Sequence, residues 1–140
     1  MNRTFKLAAA CFAAMLGMAV VSAAEKAPED YVKAMKAIGA TNGQLRGLIG
    51  AKDYDAIATA AAGLKPSVEL AGKYWADKKV EDATKLSADV AKAVGDLEKA
   101  AKAKDDAGIT AAAGVIGASC RTCHTAHRSE KLPDGSYEIK

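Results

Sequence analysis

Apolar side chains in the middle of the chain recur in a seven-residue pattern, and this pattern strongly limits the possible folds. Between residues 54 and 75 the apolar positions follow one another at steps of three and four. These positions are Tyr54, Ile57, Ala61, Leu64, Val68, Ala71 and Trp75. Such spacing forms one apolar stripe along an amphipathic helix that packs in a bundle. Pro66 interrupts the pattern, but the phase continues to Trp75, so we expect a kinked helix that does not end at the proline.

Three other segments predict further helices. The first begins near Pro28 and carries Val32, Met35, Ile38, Leu45 and Ile49 on its apolar face. The third has Ala83, Ser87, Val90, Val94, Leu97 and Ala101. The fourth begins around residues 104–106 and has Ile109, Ala113, Ile116, Cys120, Cys123 and His127. Four amphipathic helices joined by short polar links predict an all-α, up-down-up-down four-helix bundle.

Three glycines recur at steps of four residues on the first predicted helix, at Gly39, Gly43 and Gly47. Glycine in a helix interior lowers stability because it loses more backbone freedom than alanine does. Repeated glycines on one helix therefore predict that something packs closely against its backbone.

The first 24 residues have the layout of a secretory signal peptide. Arg3 and Lys6 form a charged start, residues 7–21 are almost uninterruptedly apolar, and small residues follow at 22–24. This layout predicts cleavage after Ala23 or Ala24, and the apolar run is too short to span a bilayer comfortably. We therefore expect a periplasmic protein without stable membrane insertion, with one domain over residues 25–131 and a tail over 132–140.

Cleavage would change the charge and the cysteine content of the chain. Loss of Arg3 and Lys6 lowers the formal net charge from +3 to +1, which gives no electrostatic reason to expect nucleic-acid binding. Loss of Cys11 leaves Cys120 and Cys123 as the cysteines of the mature chain. Two cysteines separated by two residues do not form a disulfide framework. The mature chain also lacks Phe, so a large planar apolar cofactor would help to fill a thin core.

Residues 120–124 read Cys-Arg-Thr-Cys-His, which matches the Cys-x-x-Cys-His signature of c-type haem attachment. Positions i, i+3 and i+4 of a helix share one face. Both sulfurs can therefore form thioethers with one porphyrin edge while the imidazole of His124 reaches the iron. The motif predicts one covalently bound haem c, attached at Cys120 and Cys123, with His124 as the proximal axial ligand of the iron.

Two other readings of the motif remain open. A thioredoxin-like dithiol has its cysteines at a helix N-terminus, where the dipole lowers the thiol pKa, whereas this motif falls at the C-terminal end of the last predicted helix. A zinc site from Cys120, Cys123, His124 and His127 would draw four ligands from eight residues. Zinc sites more often draw their ligands from two separated pairs.

With this motif near the end of a predicted four-helix bundle, the chain resembles the cytochrome c prime family. Arg128 follows His124 by four residues, Met35 is followed by Gly39 on the first predicted helix, and Trp75 lies ahead of the third. The resemblance covers the mature chain to about Arg128. The family fold is itself an up-down-up-down four-helix bundle.

The resemblance implies a role for Met35, because the family's residue at this position faces the distal side of the haem. In the family's low-spin electron carriers, the residue at this position is a methionine bound to the iron. In its five-coordinate proteins, which bind small gases, the residue at this position does not ligate the iron. We expect Met35 to be the distal ligand and the protein to be a one-electron carrier, not an enzyme. The alternative is a high-spin haem protein that binds NO or CO. Unidentified redox proteins are the expected partners, and a homodimer, common among relatives, is a further possibility.

Two positions depart from the family pattern. The roles of a few other residues are less closely defined. Tyr31 stands where the family often has a basic residue able to reach a haem propionate, and His127 stands where an aromatic residue is common. Trp75 is expected to pack in the core or at the haem edge. Arg128 is expected to pair with a carboxylate or propionate, or to complement the end of its helix. Residues 137–140 have an extended pattern and no assigned function.

Overall fold

The computed structural model describes residues 24–133 and 136–140. Four helices and two short strands make up this part of the chain: β1 Glu25–Lys26, α1 Glu29–Ala51, α2 Tyr54–Asp77, α3 Glu81–Lys102, α4 Asp106–His127 and β2 Glu138–Ile139. The predicted signal peptide lies, except for Ala24, outside the described residues. None of the described helices is both long enough and apolar enough to cross a membrane.

The helix boundaries follow from local capping chemistry. The carboxylate of Asp53 accepts a hydrogen bond from the Ala56 N–H at 3.1 Å, and that of Asp105 accepts one from the Gly108 N–H at 3.0 Å. Each satisfies one of the free N–H groups at a helix start. All three links between helices contain a lysine in the left-handed region, with φ between 54° and 58°: Lys52, Lys79 and Lys104. Such tight links make consecutive helices antiparallel neighbours, which confirms the predicted four-helix bundle.

The predicted stripes of α2 and α3 form the core. On α2, every stripe position from Ile57 to Trp75 is buried, and Pro66 lies inside a continuous helix. On α3 the stripe is buried at Ala83, Val90, Val94, Leu97 and Ala101. The buried face of α4 is rotated slightly about the helix axis relative to the predicted one. Ile109 and Ile116 are buried as expected, but Ala112 and Ser119 are buried where Ala113 and Cys120 were expected to be.

The helices pack in chain order, and one pairing of the bundle is nearly absent. α1 packs along α2, α2 along α3 and α3 along α4, whereas the backbones of α1 and α4 hardly approach each other. In a closed bundle of this topology α1 and α4 would be neighbours. A gap therefore separates the helix that carries Met35 from the helix that carries Cys120, Cys123 and His124.

The glycines of α1 do not pack against the chain. A Cβ added at Gly39, Gly43 or Gly47 would meet no atom within 4 Å. The expectation of close packing against these glycines is therefore wrong for contacts within this chain. Their spacing matches that of a packed helix face, but no described element of the chain lies against that face.

The tail folds back onto the motif end of the bundle. β2 pairs antiparallel with β1, and Ile139 also bridges to Arg128. The Ile139 side chain is buried in the core cluster, and the Lys140 N–H donates to the His127 carbonyl at 3.1 Å. The two ends of the described chain are thus joined beside the last turn of α4.

Candidate functional site

The Cys-x-x-Cys-His motif occupies the last two turns of α4. Cys120, Cys123 and His124 are each half-buried, and neither cysteine is in a disulfide. Both cysteine side chains pack against the edge of the hydrophobic core. Because their spacing is i, i+3 and i+4, the two sulfurs and the imidazole share one side of the helix.

Burial controls the protonation of both thiols. It raises the pKa of Cys120, and it is the main cause that raises the pKa of Cys123 to about 11, with Cys120 and Asp82 adding to the effect. Both groups therefore stay thiols at neutral pH. A catalytic dithiol needs a lowered thiol pKa, so this environment is opposite to the one that the thioredoxin-like alternative requires.

The imidazole of His124 is held in its neutral form. Burial lowers its pKa, and the positive charge of Arg128 adds to this effect. A neutral imidazole has a free lone pair on one ring nitrogen, which is the form that ligates a metal. The local surroundings of His124 therefore suit an axial ligand.

His127, three residues further along, is committed to other contacts. Its Nε2 lies 2.8 Å from Oδ2 of Asp82 on α3, and its ring centroid lies 5.1 Å from that of Trp75 on α2. Among the described residues, no three His, Cys, Asp or Glu side chains come together as a metal site. The zinc alternative therefore finds no support in this arrangement, and His127 acts in packing.

An aromatic cluster surrounds His127 and connects all four helices. The indole Nε1 of Trp75 donates a hydrogen bond to the Tyr31 hydroxyl of α1 at 3.1 Å, and Tyr74 lies 4.4 Å from Tyr31 between ring centroids. Burial raises the pKa of Tyr31 to about 12, so its hydroxyl stays protonated. With His127 of α4 and Asp82 of α3, the cluster fixes the end of the bundle that carries the motif.

The predictions from the sequence treated Tyr31 and Trp75 separately and did not include this cluster. A signal for it was present in the positions of the residues. Tyr31 is near the start of α1, Trp75 is near the end of α2, and His127 is near the end of α4. In an up-down-up-down bundle these three positions lie at one end, so their meeting follows once the topology is known.

Met35 and the motif lie on the two helices that flank the gap. Met35 is half-buried and packs against the core from α1, one turn after Tyr31. A Cβ at the exposed Gly39, one turn on, would meet nothing within 4 Å. The same is true of Gly117, one turn before Cys120 on α4. Two free, half-buried thiols and a neutral imidazole on one side of α4 fit the attachment and ligation of haem.

Arg128 ends α4 and faces the tail. Its backbone N–H donates to the His124 carbonyl at 3.1 Å, and its guanidinium lies 4.3 Å from the ring centroid of Tyr137. The prediction for its side chain was a pairing with a carboxylate or propionate, or an interaction with the negative end of the helix dipole. In the structure the contact is a cation–π interaction, which holds the tail against the helix end.

Comparison with known proteins gives one match. A family model described as Cytochrome C' matches residues 67–128, from the second half of α2 to Arg128, just after α4. The matched segment contains Trp75, Cys120, Cys123 and His124 and leaves out α1 with Met35. No curated protein and no solved structure matches the chain.

Proposed function

Because the chain belongs to the cytochrome c prime family, we propose that it is a periplasmic monohaem c-type cytochrome that carries single electrons. One haem c would be held by thioethers to Cys120 and Cys123, with His124 and Met35 as axial ligands of the iron. The observation that carries the proposal is the placement of two free, half-buried thiols and a neutral imidazole on one side of α4. The periplasmic location rests on the predicted signal peptide.

A bound haem would supply the one-electron redox chemistry. The chain's own residues attach, orient and bury it. Cys120 and Cys123 would attach it to α4, and His124 would ligate its iron. The hydrophobic core that packs against the two cysteines would help to exclude water from the attachment site. Outer-sphere electron transfer needs no substrate pocket, so the proposal includes no catalytic residue.

The composition of residues 25–140 favours Met35 as the distal ligand. This segment contains two histidines and one methionine, and that methionine is Met35. His127 lies on the same helix as His124 and pairs with Asp82. Met35 is therefore the one remaining sulfur or imidazole donor outside the motif, and it lies across the gap on α1. A thioether ligand also raises the reduction potential of haem iron.

Truncation of Met35 tests this ligand assignment. The ferric wild type should be low-spin and should show the weak far-red charge-transfer band of a methionine sulfur bound to iron. Met35→Ala should remove the band, convert the iron to high spin, lower the reduction potential and open the ferrous iron to carbon monoxide. Leu48→Ala, which truncates another half-buried side chain of α1, should leave all four properties unchanged.

The second candidate function is binding of NO or CO at a five-coordinate iron. The separation of α1 from α4 is the observation in its favour, because Met35 would have to reach across it to an iron held at His124. This function takes first place if the wild type is already high-spin and binds carbon monoxide rapidly. Met35 would then be a packing residue.

A further inference from the structure

One buried hydrogen bond fixes the start of α1 on α2. Among the described residues, the one side-chain hydrogen bond between α1 and another helix runs from the Trp75 indole Nε1 to the Tyr31 hydroxyl, at 3.1 Å. Trp75 is 3% exposed and Tyr31 is 8% exposed, so water has little access to either partner. A buried polar group that loses its partner costs more than the hydrogen bond itself contributes. This contact therefore fixes α1 more specifically than apolar packing alone would.

The position of α1 depends on such a contact more than that of α4 does. α4 packs along α3, and its end is also held by the tail, where the Lys140 N–H donates to the His127 carbonyl. α1 packs along α2 and hardly meets α4. The distance across the gap between α1 and α4 is therefore set by the way in which α1 is held on α2.

Trp75 contacts both helices that flank this gap. Its ring meets that of Tyr31 on α1 edge to face, with centroids 6.0 Å apart and an interplanar angle of 87°. Its ring also lies 5.1 Å from that of His127 on α4, between centroids. Trp75 itself is held in the hydrophobic core. One indole on α2 thus places Tyr31 and His127 at the same level of the bundle.

Met35 and His124 are almost equally far from this level. Met35 follows Tyr31 by four residues, and His124 precedes His127 by three. At a rise of about 1.5 Å per residue, these separations are about 6 Å and about 4.5 Å along the helix axes. Both lead away from the motif end of the bundle, because α1 begins at that end and α4 finishes there. The two candidate axial ligands therefore lie at similar heights on the two sides of the gap.

We propose that Tyr31 and Trp75 are positioning residues for the distal ligand, because their hydrogen bond holds α1 at the height at which Met35 lies level with His124. This role rests on the proposed function, since it takes Met35 as an iron ligand. Both residues act by fixing α1, and neither is itself a ligand. The role also explains a departure from the family pattern at Tyr31. Lys and Arg side chains carry only donors, so a basic residue there could not accept the hydrogen bond from Trp75.

The first test is a titration of the ferric holoprotein with imidazole, followed by the loss of the far-red methionine band. Imidazole binds the iron where Met35 has left it, so its affinity reports how firmly Met35 is held. Tyr31→Phe removes the hydroxyl and keeps the ring, and it should raise the affinity for imidazole about tenfold, because a buried hydrogen bond is lost. Tyr54→Phe removes a hydroxyl that donates to Asp106 at 3.0 Å near the far end of the bundle, and it should leave the affinity unchanged.

The second test separates positioning of Met35 from a general effect on stability. In a Met35→Ala background, Tyr31→Phe should leave the imidazole affinity unchanged, since no distal ligand remains to be positioned. Trp75→Phe removes the donor of the same hydrogen bond, so adding Tyr31→Phe to it should raise the affinity little further. An equal effect of Tyr31→Phe with and without Met35 would overturn the proposal. Far-ultraviolet circular dichroism shows whether each variant folds, and the Tyr31→Phe pair decides the matter even if Trp75→Phe does not.

The far-red band separates a failure of this proposal from a failure of the proposed function. A wild type without the band has no bond between Met35 and the iron, and both would then be wrong. A wild type that shows the band supports the ligand assignment. If Tyr31→Phe then bound imidazole no more tightly than wild type does, the positioning role alone would be wrong.

Discussion

His124 and His127 lie one turn apart on α4, and their surroundings give them different roles. His124 is half-buried beside two thiols, and its pKa is lowered by burial and by Arg128. His127 instead binds Asp82, and this contact lowers the pKa of that carboxylate. One imidazole is kept in the neutral form that can ligate a metal, whereas the other serves as a polar contact between α4 and α3.

We expect His124→Ala to abolish the native iron spectrum and His127→Ala to preserve it. The first substitution removes the nitrogen that the motif places beneath the iron. The second removes a packing contact with Trp75 and should lower the melting temperature by a few degrees, as a change of about 1 kcal/mol does in a domain of this size. Electron paramagnetic resonance of the ferric proteins measures the ligand field directly. The assignment would be reversed by a spectrum that survives loss of His124 but not loss of His127.

A sequence allows the prediction of residues that a local motif defines, but not of contacts that join different helices. Cys120, Cys123 and His124 are recognisable because their chemistry depends on spacing within one helical turn. The contact between His127 and Asp82 joins two helices, and no local pattern encodes it. Whether Met35 ligates the iron stays a prediction, since it depends on where α1 lies relative to α4.

Among the four helices, α1 packs least closely against the rest of the chain. It packs along α2 and hardly meets α4, and its glycines face open space. Under the proposed function the space next to Met35 accommodates haem, whereas the space at the far end of α1 stays free. The glycines on this one helix should therefore respond differently to substitution.

We predict that Gly47→Ala stabilises the holoprotein by about 0.5–1 kcal/mol, the usual gain from alanine in a helix interior. Gly39→Ala has the same intrinsic gain but adds a methyl group one turn from Met35, so it should stabilise less or destabilise. Urea unfolding of both variants, followed by far-ultraviolet circular dichroism, gives the comparison. Equal stabilisation by the two alanines would show that nothing occupies the space beside Gly39.

The sequence predicted all four helices because their apolar spacing persists over several turns. It was less accurate for the phase of α4. Ala112 and Ala113 are both small and apolar, so composition alone cannot decide which one faces the core, and the structure buries Ala112. The glycine spacing of α1 also led to a wrong expectation, because a pattern within one helix does not say whether another element of the chain covers it.

For the whole molecule, the tail closes the bundle at the end that carries the motif. Ile139 is 9% exposed, and β2 joins β1 at the start of the described chain. The sequence indicated an extended tail but not its partner. Strands of two residues have too short a pattern to be recognised, and the pairing joins opposite ends of the chain.

We expect Ile139→Ala to destabilise the protein by about 2 kcal/mol, at the low end for truncation of a buried isoleucine, because a terminal segment can partly relax. Lys140→Ala, at the exposed neighbouring position, should change stability by less than about 0.5 kcal/mol. Thermal unfolding of the two variants measures the difference. Equal stabilities would mean that the tail lies on the bundle without stabilising it.

Under the proposed function, one haem is covalently bound through Cys120 and Cys123. The most direct measurement is the intact mass of the mature chain after denaturation in acid organic solvent, following expression together with cytochrome maturation proteins. We expect the mass of the chain plus one haem for wild type, and the mass of the chain alone when both cysteines are replaced by alanine. A wild-type chain without added mass under these conditions would show that the motif does not bind haem covalently.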